Sequence, residues 1–81
     1  MTNDEARAAV VAALAQVAPE IDLMDADPTA DMRDELGLDS LDFLGLVTDL
    51  AERTGVQVPE SDYDQVRSYD GLVGYLVSHA S

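Results

Sequence analysis

Apolar residues recur along the chain at the spacing of amphipathic helices. The clearest periodic segment covers about residues 40–54 and ends before Gly55, a residue typical of helix C-termini. Similar spacing predicts helices at about 4–17, 61–66 and 69–79. The tripeptide VQV is the one strand-like segment, and it has no second strand to pair with. We therefore predict an all-α fold, a four-helix bundle with a long first loop and a short third helix.

Capping signals support the ends of the first and last of these helices. Thr2 and Glu5 have the spacing of a capping box, and Pro19 favours a stop shortly before it. Ser68 precedes the last helix as a candidate N-cap, with Asp70 near the positive end of that helix. The local signals and the periodicity therefore indicate the same boundaries.

A long acidic stretch, residues 20–38, separates the first two predicted helices. We predict an irregular loop here, which is unusual in so small a chain and often marks a functional segment. The apolar residues that predict packing of this loop over the bundle are Ile21, Leu23, Met24, Met32, Leu36 and Leu38. We expect the loop and the helices to form one domain over residues 1–81.

The charge balance narrows the choice of partners. The chain has 17 Asp and Glu against 4 Arg and no Lys, which gives a net charge of −13. Such a surface repels nucleic acid and anionic membranes and favours basic protein partners. The amino terminus is acidic where a secretory signal would be basic, and no apolar run approaches the roughly 20 residues that span a bilayer. We expect a cytoplasmic monomer without membrane insertion.

The inventory of metal-ligating side chains is small. The chain has no cysteine and one histidine, His79, near its end, so it can build neither a disulfide framework nor a zinc site. Asp25, Asp27 and Thr29 occupy the first ligand positions of an EF-hand loop, but Ala30 stands where that loop needs glycine. We therefore predict no metal site. The chain also lacks a thiol of its own.

The most informative segment is ELGLDSLDFLGLV, residues 35–47. Its LGLDSLDF core resembles the attachment motif of the acyl carrier protein family, in which a serine after an aspartate begins the second helix. The resemblance extends to Met32, eight residues before Ser40, to TGVQVP after the helix, and to SYDGLVGYL near the end. It implies that a phosphopantetheinyl transferase, using coenzyme A and Mg²⁺, esterifies Ser40 with 4′-phosphopantetheine beside Asp39.

The position of Ser40 agrees with this expectation. A serine at a helix N-terminus is exposed, and the free backbone N–H groups there favour a phosphate. The alternative is that Ser40 only caps the helix. Asp39 and Asp42 place negative charge beside a future phosphodiester, so we interpret them as charges that a basic enzyme surface reads.

The predicted helix at 40–54 has two apolar stripes where a surface helix needs one. We expect the first stripe to face the core: Phe43, Leu46, Val47 and Leu50. The second is more exposed and, in the family, contacts partner enzymes beside a rim of acids. Here the stripe is Leu41, Leu44 and Thr48, and the rim is Asp42, Asp49 and Glu52.

Two finer expectations concern the cargo. Helical phase predicts an acyl pocket between the second and later helices, lined by Phe43, Leu46, Val66 and Leu72. Gly45 stands where fatty-acid carriers usually have a glutamate, which favours a specialised or polyketide-type pathway. A glycine in a helix interior is unfavourable by about 1 kcal/mol relative to alanine.

The resemblance implies a carrier without catalytic activity, which presents acyl thioesters to enzymes of fatty-acid or polyketide-type biosynthesis. Two alternatives stay open: an aminoacyl or peptidyl carrier, and an acidic interaction module without a prosthetic group. Only a carrier needs the Ser40 hydroxyl. A serine hydrolase is disfavoured because Ser40 lies in GLDSLD and not in a G-x-S-x-G turn.

Overall fold

The computed structural model describes residues 1–21 and 26–80, which form four α-helices and one 3₁₀ helix. The α-helices are α1 (Asn3–Val17), α2 (Met32–Leu36), α3 (Ser40–Thr54) and α4 (Tyr69–His79), and the 3₁₀ helix (Glu60–Val66) lies between α3 and α4. Within the described residues no strand forms, and an isolated antiparallel bridge joins Asp31 to Ser68. The predicted all-α bundle is confirmed.

The capping residues act at the two ends of the chain as their spacing indicates. Thr2 Oγ1 accepts a hydrogen bond from the Glu5 backbone N–H at 3.1 Å, and Glu5 Oε1 accepts one from Thr2 N–H at 2.8 Å. Ser68 caps α4, because its Oγ accepts a hydrogen bond from Gly71 N–H at 2.9 Å. These bonds satisfy backbone donors that a helix N-terminus otherwise leaves unpaired.

The core lies where α1 packs against α3 and α4. The three helices contribute the majority of its buried side chains, and residues of the connecting segments close it at the ends. The largest fully buried side chains are Leu14, Met32, Leu46, Leu50, Leu72, Leu76, Val10 and Val66. Because burial of apolar surface is the main favourable term in folding, this seam stabilises the small bundle.

Two tyrosine contacts help to join the 3₁₀ helix to the rest of the bundle. Tyr75 of α4 donates a hydrogen bond from its hydroxyl to Asp62 Oδ2 at 2.6 Å. The ring of Tyr63 meets Phe43 of α3 edge to face, with 5.2 Å between the ring centroids. The predicted short third helix is therefore present, with a 3₁₀ geometry typical of short helical segments.

The structure corrects the expected irregular loop between the first two predicted helices. Met32–Leu36 forms the short helix α2, because Asp31 Oδ1 accepts a hydrogen bond from Arg33 N–H at 2.9 Å and caps it. Gly37 ends the helix in the left-handed conformation, at φ 69°. A helix of five residues is too short to show a period in the sequence, so the prediction missed it.

The packing predicted for this loop is present in its described part. Met32 and Leu38 are buried in the core, and Ile21 and Leu36 are partly buried against it. The remaining residues named for this segment, Leu23, Met24 and Asp25, lie outside the described residues. In the part of the chain that the structure describes, no helix is long and apolar enough to cross a membrane.

The environment of Gly45 generates a prediction about stability. A Cβ atom at this position would lie 3.6 Å from Val17 Cγ2 of α1, which is ordinary van der Waals contact. We expect Gly45→Ala to raise the free energy of unfolding by about 1 kcal/mol, because alanine in a helix interior is favoured over glycine by that amount. Urea denaturation monitored by circular dichroism measures the change.

Gly55→Ala is the matched control, because Gly55 has a φ of 75° and a Cβ there would meet no atom within 4 Å. The conformation, and not the space, opposes a side chain at this position, so this variant should lose about 1 kcal/mol. An unchanged or lower stability of Gly45→Ala would contradict the prediction.

Candidate functional site

Ser40 is the first residue of α3 and is exposed to solvent. The residue before it, Asp39, is the N-cap: its Oδ1 accepts a hydrogen bond from Asp42 N–H at 2.8 Å. Asp42 Oδ2 accepts one from Asp39 N–H at 3.5 Å and completes a capping box. Asp39, and not Ser40, therefore caps the helix, which leaves the Ser40 hydroxyl free of that task.

The two faces predicted for α3 differ in exposure as expected. Phe43, Leu46, Val47 and Leu50 are buried. On the other face Leu41 is 77% exposed and Leu44 is 49% exposed, and Thr48 is exposed as well. A contiguous pair of exposed leucines next to Ser40 is an unusual use of apolar surface in a helix that already fills the core.

The acidic rim of this face is partly engaged within the chain. Asp42 belongs to the capping box, and Asp49 pairs with Arg53 one turn further along α3. Glu52 is exposed, whereas Asp42 and Asp49 are half-buried. The three carboxylates therefore differ in how much of their charge faces solvent, with Glu52 the most accessible.

A cleft opens beside Ser40, between α3 and the 3₁₀ helix. Its volume is about 520 Å³, and its walls include Arg33, Ser40, Phe43, Leu44, Tyr63 and Arg67. Of the four residues predicted to line an acyl pocket, Phe43 lines this cleft, whereas Leu46, Val66 and Leu72 are fully buried in the core. The role of these three as pocket residues stays a prediction.

Arg33, Tyr63 and Arg67 are cleft residues that the sequence analysis missed. The sequence offered one signal for the two arginines, because basic residues are rare in a chain that has only 4 of them. Nothing in the sequence brings residues 33 and 67 together, because their proximity depends on the long-range bridge between Asp31 and Ser68. The cleft therefore combines apolar walls with two guanidinium groups and the carboxylates of Glu60 and Asp64, next to an exposed hydroxyl at a helix N-terminus.

This arrangement fits a phosphopantetheine arm on chemical grounds. The Ser40 hydroxyl is accessible for esterification, and α3 begins there, so backbone N–H groups and the positive end of the helix dipole face a phosphate. The aromatic and apolar walls supply a surface for a flexible chain. Arg33 and Arg67 add positive charge to a strongly acidic molecule.

The comparisons with known proteins agree with this site. The family model described as phosphopantetheine attachment site matches residues 8–76. The acyl carrier protein of Rubrobacter xylanophilus is 30% identical over 59 residues, which are 73% of this chain and 73% of that protein. The chain belongs to the acyl carrier protein family.

Other acyl carrier proteins are similar over part of their length. Acyl carrier protein 2, mitochondrial, of Arabidopsis thaliana is 35% identical over 74% of this chain and 48% of its own length. The mitochondrial acyl carrier protein of Neurospora crassa is 40% identical over 62% of this chain and 37% of its own length. The chain thus spans half or less of these two mitochondrial relatives. The cofactor of this acyl carrier protein family member is covalently attached 4′-phosphopantetheine.

The charge environment of Asp31 generates a prediction about pH. Hydrogen bonds from the Arg33 side chain and backbone hold the pKa of the Asp31 carboxyl below its usual range, and the charges of Arg33 and Arg67 add to this. A carboxyl whose pKa is lowered on folding stabilises the protein above its unfolded pKa, about 3.9, and loses that effect as pH falls through the folded value.

We therefore expect Asp31→Asn, which keeps a capping side chain, to lower the free energy of unfolding at neutral pH by at most about 1 kcal/mol. The difference from the wild type should shrink as pH falls from about 7 to about 3. Urea unfolding of both proteins across this range tests the expectation. A difference that stays constant with pH would show that the charge of Asp31 contributes nothing.

Proposed function

We propose that this acyl carrier protein carries acyl groups on an arm attached to Ser40 and has no catalytic activity of its own. The observation that supports this most is the exposed hydroxyl of Ser40 at the first position of α3, beside the cleft and within the matched region. When bound, 4′-phosphopantetheine supplies the thiol for a thioester. The chain has no cysteine that could supply it.

The residues around Ser40 have separate tasks in this proposal. The first turn of α3 offers backbone N–H groups to the phosphate, since the early N–H groups of a helix have no partner within it. Asp39 and Asp42 hold the start of the helix in place through their capping box. Their negative charge also marks the site for a basic enzyme, such as a phosphopantetheinyl transferase with its metal ion.

We propose that an acyl chain shelters between α3 and the later helices, and that it first meets Phe43 at the wall of the cleft. Leu46, Val66 and Leu72 lie deeper and are fully buried. A chain would therefore reach them only if side chains at the wall of the cleft moved, and we propose that the edge-to-face pair of Phe43 and Tyr63 moves.

The exposed leucines of α3 are the proposed docking surface for partner enzymes. Leu41 and Leu44 offer apolar surface, Thr48 extends it by one turn, and Asp42, Asp49 and Glu52 surround it with carboxylates. Because the net charge is −13, complementary charge on a basic partner would accelerate encounter and suppress binding to acidic proteins. The proposed partners are the transferase and acyl-processing enzymes.

Two observations bear on the biosynthetic pathway in which the carried acyl group is used. Gly45 lies against Val17 at a distance that leaves room for a Cβ atom, so packing between α1 and α3 does not explain the absent side chain. Two of the relatives are named as mitochondrial, and that location is stated of those proteins alone. Fatty-acid or polyketide-type use, a cytoplasmic location and acyl rather than aminoacyl cargo stay predictions.

The attachment of the arm is tested by intact mass spectrometry. The protein is incubated with coenzyme A, Mg²⁺ and a broad-specificity phosphopantetheinyl transferase. We expect the wild type to gain the mass of one phosphopantetheine, because Ser40 is exposed at the start of α3. Ser40→Ala should gain nothing, and Ser61→Ala, which removes an exposed hydroxyl from the 3₁₀ helix, should gain the same mass as the wild type.

Two outcomes would contradict the proposal. A gain in Ser40→Ala would move the attachment site elsewhere. The second outcome is that the folded wild type gains no mass, although the transferase modifies a second carrier in the same tube. If extract of the source cell also fails to modify the protein, the result would favour the acidic interaction module.

The docking surface is tested on the same reaction. Leu41→Ala removes apolar surface that is 77% exposed, so folding should be unaffected. If this leucine is buried against the transferase, kcat/KM for modification should fall about tenfold, since burying part of a leucine contributes on the order of 1.4 kcal/mol.

Val11→Ala is the control for Leu41→Ala, because Val11 is an exposed apolar residue of comparable kind (45% exposed) on α1. It should leave kcat/KM unchanged. Equal rates for the wild type and Leu41→Ala would exclude Leu41 from the contact with the transferase.

A further inference from the structure

Two of the four arginines of the chain lie in the cleft beside Ser40. Arg33 belongs to α2 and Arg67 directly follows the 3₁₀ helix. In a chain with 17 acidic residues, this concentrates half of the basic side chains at one place. These two arginines and the exposed Ser40 line the same cleft.

Main-chain hydrogen bonds join the two segments that carry these arginines. Met32 N–H donates a hydrogen bond to the Arg67 carbonyl at 2.7 Å, within the antiparallel bridge of Asp31 and Ser68. A second bond nearby, from Asp70 N–H to the Pro28 carbonyl at 3.0 Å, ties the same two segments together. Main-chain contacts therefore hold the segments of the two arginines at one cleft.

Each guanidinium has a carboxylate partner and keeps donors for a ligand. Arg33 Nη2 lies 3.3 Å from Asp31 Oδ2, and Arg67 Nη2 lies 2.6 Å from Asp64 Oδ1. Both arginine side chains are about half exposed, at 46% and 55%. A guanidinium has several N–H donors in a planar fork, so one carboxylate does not use all of them.

The two arginines share the lining of one cleft. The positive charge of each also lowers the pKa of the nearby Asp31 carboxyl. Glu60 and Asp64 also line the cleft, so the formal charges of its two arginines and these two acids cancel, and Asp31, the partner of Arg33, adds one negative charge beside it. The electrostatic repulsion of an anion is therefore weaker at this cleft than the net charge of −13 alone would indicate.

We propose that Arg33 and Arg67 form a guanidinium clasp that binds an oxyanion of the group carried on Ser40. The oxyanion is either the phosphodiester at the base of the arm or the carboxylate of a dicarboxylic acyl cargo. Both present paired oxygens that match the planar fork of arginine. The inference rests on attachment at Ser40 and goes beyond it by naming the residues that hold the arm.

The clasp would keep the arm in the cleft between encounters with enzymes. An oxyanion held by Arg33 and Arg67 places the attached chain along Phe43, Leu44 and Tyr63 and out of bulk water. It also offsets the repulsion that the Asp39 and Asp42 carboxylates exert on a phosphodiester. A basic partner enzyme would compete for the same oxyanion and so release the arm on docking.

Nuclear magnetic resonance of the arginine Nε–H groups tests the clasp, because the chain has only 4 Arg and no Lys. Attachment of the arm is first established by intact mass. If the phosphodiester is bound, Nε–H signals of Arg33 and Arg67 should shift from the unmodified to the modified protein by more than those of Arg7 and Arg53. If a cargo carboxylate is bound, the excess shift should appear with a malonyl group and not with an acetyl group.

The variants Arg33→Gln and Arg67→Gln supply an independent measurement. Both should still gain the arm by mass, and the phosphorus resonance or the malonyl carboxylate resonance should move relative to the wild type. Arg53→Gln removes the same charge from an arginine that pairs with Asp49 on α3, away from the walls of the cleft, and should leave both resonances in place.

The clasp is overturned if the modified and malonylated proteins show no excess shift of Arg33 or Arg67 and the two glutamine variants leave both resonances unchanged. That result, with the mass gain intact, contradicts the clasp alone. Absence of the mass gain at Ser40 overturns the proposed attachment and the clasp with it.

Discussion

The start and rotation of α3 govern the candidate site, because this one helix serves both the core and the surface. The capping box of Asp39 and Asp42 fixes the start, and the buried face that includes Leu46 and Leu50 fixes the rotation. With both fixed, Ser40 lies at the first position, and Leu41 points outward. Had Ser40 been the cap, its hydroxyl would be engaged with the backbone of the helix. The aspartate before the serine therefore makes the serine available.

The acidic residues of the chain differ in the interactions that they make. Asp31 and Asp39 cap helices, where carboxylates satisfy backbone donors and interact favourably with the helix dipole. Asp62 accepts the hydroxyl hydrogen of Tyr75 and so joins the 3₁₀ helix to α4. Part of the negative charge thus stabilises the fold, and the remainder, such as Glu52, is presented to partners. These local interactions offset part of the self-repulsion expected of a small domain with a net charge of −13.

The sequence predicts those parts of the molecule that depend on neighbouring residues. The boundaries predicted for the helices at 40–54 and 69–79 coincide with α3 and α4, because their periods are long and their caps are local. The exposure of Leu41 and Leu44 follows from the same period. By contrast, α2 is shorter than two helical turns, and its sequence carries only a cap and a glycine. The pairing of residues 33 and 67 across the cleft needs a contact between distant segments, which periodicity does not encode.

The 3₁₀ helix and the α-helices differ in how they pack against the rest of the bundle. The seams of α1 with α3 and α4 are lined by fully buried side chains, so opening them exposes the main core and is costly. The 3₁₀ helix, by contrast, packs mainly against α4 and meets α3 through Tyr63 and Phe43 at the wall of the cleft. We expect the proposed acyl chain to enter by separating this aromatic pair, because that leaves the seams of α1 closed. The same edge of the molecule therefore joins an accessible serine, two arginines and the proposed entrance for the acyl chain.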